Sequence, residues 1–221
     1  MTSTDWSTLW PTFQTAIGQT LLMAVVTILI GGILGLVLGV ALFTTRGGGL
    51  MENRSVNAVL NVLVNIVRPI PFIIFVTAIA PLTLHAMGST IGTKAVLFPL
   101  VIAATFGVSR IVEQSLVSVD PGVIEAAEAM GAGPWQIVRT VLVPEALGPL
   151  ILGYTFIFVA VVDMTAIAGA VGGGGLGDFA ITYGYHRFDW TVTWVAVAAI
   201  IVLVQLAQFG GNALARKALR R

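Results

Sequence analysis

Residues Trp6 to Thr45 run without a single charged side chain. A bilayer's hydrocarbon core of about 30 Å is crossed by roughly 20 apolar helical residues. No soluble fold of 221 residues hides several such runs from water. Residues are 57% hydrophobic and only 10% charged, where a soluble domain carries about 25% charged. That excludes a soluble enzyme, a nucleic-acid binder and a disordered chain. Eleven Lys and Arg against ten Asp and Glu name no polyanionic partner. There is no cysteine, and two histidines, His85 and His186, do not make a metal site. The expectation is an all-α integral membrane protein, one domain over 1–221, binding no metal and no nucleic acid.

Five spans are expected, at about 20–43, 56–84, 91–116, 147–171 and 190–215. The second is interrupted by Pro69, Pro71 and Pro81 and carries Arg68. Cytoplasmic loops are rich in Lys and Arg. Arg46, Arg54, Arg139, Arg216, Lys217, Arg220 and Arg221 fall on one side, and Lys94 and Arg187 on the other. The N-terminus is therefore expected outside, and the third loop and the C-terminus in the cytoplasm. Trp6, Trp10, Tyr183, Tyr185 and Trp190 gather near the outer boundary, as interfacial aromatics do. In the first span Gly31, Gly35 and Gly39 recur every four residues beside Gly32, a face on which another helix packs closely.

The segment 120–146, DPGVIEAAEAMGAGPWQIVRTVLVPEA, is too organised for a plain linker. Asp120 is an N-cap and Pro121 a first helical residue. Gly131 and Gly133 stop that helix; Pro134 starts a second, which Pro144 ends. Glu125 and Glu128 share a face, with Ala126 and Ala127 between them. Small alanines let another protein's surface approach, and the carboxylates offer salt-bridge partners at the rim. A helix resting on lipid headgroups would instead favour Lys and Arg. The segment reads as a docking knob.

The spacing Glu125-Ala126-Ala127, three residues, Gly131, nine residues, Val141-Leu142-Val143-Pro144 resembles the EAA signature of ABC importer permeases. Arg68-Pro69-Ile70-Pro71-Phe72, Arg110-x-x-Glu113, Ala168–Asp178 and Tyr183-Gly184-Tyr185 are similar to segments of the methionine importer permeases. The resemblance covers roughly 13–215 and implies a type I ABC importer permease fold with a cytoplasmic coupling helix between spans three and four. It further implies a homodimer in a bacterial cytoplasmic membrane, two copies of a separate ATPase subunit, an extracytoplasmic substrate-binding protein and an amino-acid substrate, most naturally methionine. ATP and Mg would sit on the ATPase, because no G-x-x-x-x-G-K-[ST] loop occurs here. The coupling residues would be Glu125, Ala126, Ala127, Glu128, Gly131 and Pro134.

Candidate pathway or gate residues are Arg68, Pro69, Pro71, Asp163 and Met164. The two prolines free backbone carbonyls, which is tolerated where protein or a water-filled cavity surrounds them. Arg68 lies roughly 18 Å into its span, as a gate element or as an arginine snorkelling to the inner interface. Asp163 departs from the family pattern. It would line the pathway and attract a substrate ammonium, pair with Arg68, or cap a partner helix. Gly172-x-Gly174-x-x-Gly177 formally matches a dinucleotide fingerprint, but a membrane span precedes it where the fingerprint needs a strand. It reads instead as a flexible turn through which the backbone approaches a docking partner. An ion-coupled secondary carrier is the alternative from another class, with Asp163 and Arg68 as relay; it would show inverted repeats and has no use for a coupling motif.

Overall fold

The computed structural model describes residues 5–219, and every regular element among them is helical. The long first helix, α1 (Trp6–Thr45), starts where the Asp5 carboxylate accepts the Ser7 N–H at 3.0 Å. It begins well before the apolar span and contains Pro11 near its start. Asn53 caps α2 (Arg54–Val67), accepting the Val56 N–H at 3.1 Å. The prolines then break the second span as expected, giving α3 (Phe72–Ala78) and α4 (Ala80–Met87), which Gly88 closes at φ 73°. α5 (Thr93–Val117) follows, with Pro99 inside it.

The third loop folds as α6 (Pro121–Ala129) and α7 (Pro134–Ile137). Here Pro144 departs from expectation. A wide turn over Val138–Leu142 carries the chain into α8 (Val143–Glu145), so the proline ends nothing. In that turn the Val143 N–H reaches back five residues to the Val138 carbonyl. Such widening accommodates a residue that has no N–H to give. α9 (Leu147–Ala168) leads through Gly169–Gly173 to α10 (Gly175–Phe179), and α11 (Trp190–Leu219) completes the described chain. Among the described residues four helices are long and apolar enough to cross a membrane, and the count is five if α2 and α3, which meet at a 105° bend, are taken as one span. Arg220 and Arg221, which entered the charge argument, lie outside the described residues.

These helices form two compact units. The first comprises residues up to Gly31 together with Ile70–Ala104 and Phe158–Ala207. Its core holds Phe13, Ala16, Leu176, Phe179, Val192 and Ala196, flanked by Trp6 and Tyr183. Aromatic rings cluster around it: Trp10 and Phe13 rings lie 5.7 Å apart, Phe13 and Phe179 5.3 Å, Phe179 and Tyr183 5.4 Å, Tyr185 and Trp190 6.3 Å, and Arg187 sits over Tyr183.

The second unit comprises Gly32–Pro69, Thr105–Ile157 and the chain from Gln208 onward. The glycine face of α1 works here as the spacing suggested. A Cβ on Gly35 would fall 2.5 Å from the Val108 Cβ, and one on Gly39 only 2.6 Å from the Ser109 carbonyl oxygen. α1 and α5 therefore touch backbone to side chain, a proximity only glycine permits.

Candidate functional site

In the second unit the loop between α5 and α9 forms a folded knob. The Asp120 carboxylate accepts the Gly122 N–H at 2.8 Å and Pro121 stands first in α6, the N-terminus its sequence specified. Gly131 takes φ +81°, its N–H donating to the Glu128 carbonyl, and the Ala132 N–H donates to the Ala127 carbonyl. That left-handed residue turns the chain out of α6 towards α7, which Pro134 opens. Glu125, Ala126, Glu128, Gly131 and Pro134 are all exposed.

Ala127 is different. It is 3% exposed and faces its own chain, so of the two adjacent alanines only Ala126 is offered outward. A helix of two and a half turns must seat itself on the body that carries it, and Ala127 is where α6 does so. Composition could not assign the two alanines to opposite faces, because the helix's orientation is fixed by what lies beneath it. The outward surface is completed by side chains the sequence argument passed over: Met130 is 81% exposed, Trp135 66% and Val123 40%. The overlooked signal was three large apolar residues flanking a glycine turn in a loop assigned to water.

Also in the second unit, α2 carries Asn57, Asn61 and Asn65 at four-residue spacing. Asn57 donates to the Leu42 carbonyl at 2.8 Å and to the Thr45 hydroxyl at 3.2 Å. Asn61 donates to the Asn57 side chain at 2.9 Å. The Arg110 guanidinium on α5 donates to Asn61 at 2.8 Å, to Asn65 at 2.7 Å, and to Glu113 one turn along its own helix. The side chains of Arg110 and Glu113 are only 15% and 20% exposed. Their pairing was legible as an i, i+3 charge pair, whereas the asparagine ladder was not.

Arg68, Pro69 and Pro71 are exposed at the break that follows α2. In the first unit Asp163 is exposed on α9, with Met164 half-buried beside it. Neither Arg68 nor Asp163 is a charge buried inside this chain. The glycine segment of the same unit corrects another expectation. Gly175 N–H donates to the Gln19 side-chain oxygen at 2.7 Å and Leu176 N–H to the Thr20 hydroxyl at 2.9 Å, while Thr93 donates to the Gly173 carbonyl at 3.0 Å. Gly173, Gly175 and Gly177 are buried. The backbone's close approach is to its own α1, and the segment is tied down where a free turn was expected.

Among the described residues, an all-helical body with four to five candidate apolar spans and an organised loop between two of them has the form of a multi-pass membrane protein. Residues 31–220 match the family described as the binding-protein-dependent transport system inner membrane component. The chain belongs to that family. It is 47% identical over 203 residues to the probable D-methionine transport system permease protein MetI of Vibrio cholerae, covering 92% of this chain and 90% of that protein. It is 42% identical over 171 residues to the methionine import system permease protein MetP of Bacillus subtilis, covering 77% of each. Two crystal forms of inward-facing conformations of the MetNI methionine ABC transporter contain a chain of the same fold. One superposes with a TM-score of 0.93 at 38% identity over 95% of this chain and 97% of that one; the other gives 0.94 at 37%, over 97% and 99%.

Proposed function

We propose that this chain is the membrane-spanning permease subunit of an ATP-driven importer that carries methionine into the cell. The observation that carries the reading is the exposed knob of α6 and α7, with Glu125, Ala126, Glu128, Met130 and Trp135 presented around a left-handed Gly131. Relatives named for methionine transport supply the substrate. Two copies enclose the pathway. Each knob seats in a cleft of a separate ATPase subunit, where ATP and Mg bind, and an extracytoplasmic binding protein delivers the amino acid. The N-terminus lies outside, and the knob and C-terminus inside, a reading supported by Arg46, Arg54, Arg139, Arg216 and Lys217.

In this scheme ATPase closure draws the two knobs together, and the movement turns the cavity outward. Arg68, Pro69 and Pro71 form the gate element, because a helix interrupted there bends at little cost. Asp163 and Met164 line the pathway. The carboxylate attracts the substrate ammonium, and the thioether gives an apolar, polarisable contact for a side chain like its own. Proteoliposomes holding this chain and its ATPase, supplied with the binding protein, test the proposal. Methionine accumulation that requires ATP supports it. Accumulation driven by an ion gradient without ATP overturns it in favour of a secondary carrier, and ATP-driven uptake of a different amino acid overturns the substrate.

A further inference from the structure

The asparagine ladder is not needed to make α2 a helix, and polar side chains at membrane depth are costly unless matched. Its bonds all join different helices or successive turns. Thr45 and the Leu42 carbonyl on α1 hold Asn57; Asn57 holds Asn61; Arg110 holds Asn61 and Asn65 and is itself held by Glu113. Arg110 is thereby engaged on several sides by its own chain, which makes it a fastener and not a free ligand for substrate. What it fastens is suggestive of its use. Ten residues beyond Arg110 on the same strand of chain, Asp120 caps the knob helix α6. Three residues beyond Asn65, Arg68 follows α2 at the break. α6 follows α5 after a three-residue link, so a push on α6 has a covalent route into α5, and the ladder joins α5 to the C-terminal half of α2 by charge-assisted hydrogen bonds, roughly twice as strong as neutral ones.

We infer that Arg110, Asn61 and Asn65 are positioning residues that transmit ATPase closure from the coupling knob to the Arg68 gate. The inference rests on the importer reading, and its test avoids the substrate. The natural chain has no cysteine, so Arg68→Cys gives one thiol in this subunit, whose maleimide labelling rate reports its surroundings. The complex of this chain with its ATPase is labelled with and without ATP plus vanadate. With the ladder intact, nucleotide should change the rate about fivefold or more, within the ordinary range of coupling between sites. In Asn61→Leu with Asn65→Leu the change should fall below about twofold while co-purification and ATP hydrolysis persist. Asn65→Asp, which keeps an acceptor for Arg110, should preserve the response. Should the leucine pair not assemble, Asn65→Ala decides, because Asn65 is exposed and its removal takes only the last rung. An unchanged response without the ladder, or no response with it, overturns the inference. Failure of the importer reading shows separately, as absence of ATP-driven methionine uptake by the unsubstituted complex.

Discussion

Gly131 offers a clean separation of backbone geometry from side-chain bulk. Its φ of +81° is a conformation that L side chains rarely adopt, yet a Cβ built there meets nothing within 4 Å. Within the chain, then, a substitution costs backbone strain and no clash. Left-handed backbone costs a non-glycine residue roughly 1–2 kcal/mol, least for asparagine, and is a real outlier for a β-branched residue. That is about a 5- to 30-fold loss in the population of the correct turn. Because Met130, Gly131 and Trp135 are exposed, the loss should fall on the proposed docking surface and leave the spans unaffected. The assay is a titration of the detergent-solubilised permease with its ATPase, alongside thermal unfolding of the permease alone. Gly131→Asn should bind nearly as the parent, Gly131→Ala several-fold weaker and Gly131→Val weakest, all with the parent's melting temperature. Asparagine as damaging as valine would mean that volume, not φ, governs the site. Three variants binding like the parent would remove this turn from docking.

Gly39→Val should lower thermal stability by about 1–3 kcal/mol or prevent folding, since its Cβ would sit 2.6 Å from a backbone oxygen of α5 that cannot step aside; an unchanged melting temperature would refute the close packing. Thr20→Val removes the acceptor of the buried Leu176 N–H and should cost about 1–3 kcal/mol, with Thr20→Ser near neutral. Asp163→Asn should leave assembly and melting temperature unchanged, because the side chain is exposed on the chain, and should alter methionine uptake; a drop in stability with normal uptake would make Asp163 structural. At the loop between α1 and α2, the Gly48 N–H and then the Arg54 guanidinium hold the Glu52 carboxyl below the usual carboxylate range. A depressed folded value means the loop's stabilisation is present above the unfolded value and lost as pH falls through the folded one. An NMR titration of Glu52 should therefore show a low midpoint, mirrored by the Gly48 amide; a midpoint in the ordinary range contradicts the contact.

What could be read in advance followed from local rules. Apolar length set the spans, prolines set the break after α2, and Asp120, Pro121 and Gly131 set the bounds of α6. The four-residue glycine repeat set a face, since helical periodicity alone puts Gly35 and Gly39 together. What could not be read depended on partners distant in sequence. Ala127 and Ala126 differ only in what lies beneath the helix. The glycines after α9 looked free because nothing local shows that Gln19 and Thr20, 156 residues away, would take up their N–H groups. The Asn57, Asn61 and Asn65 stripe was visible as spacing, but asparagines on a helix carry no meaning until Arg110 is placed opposite them. Pro144 misled because the rule that proline ends a helix assumes four-residue bonding, and the chain widens its bonding just before it.

The distribution of polar groups connects these observations. In a membrane each polar side chain must find a partner or reach water. Many of this chain's polar groups are satisfied internally: the asparagine ladder with Arg110 and Glu113, and the glycine segment with Gln19, Thr20 and Thr93. Those bonds stiffen the body. Other charges are instead exposed on the isolated chain, and they fall in the places the importer reading needs them. Glu125 and Glu128 are on the knob, Arg68 is at the break and Asp163 is on α9. Exposed charge beside exposed Met130 and Trp135 is wasteful on a loop with no partner, since the apolar pair alone would favour aggregation. On a docking surface the same mixture is ordinary, with apolar anchors at the centre and charges at the rim. By this reasoning, replacing Met130 and Trp135 should weaken ATPase binding more than removing Glu125 and Glu128, because buried anchors carry more binding energy than solvated ion pairs.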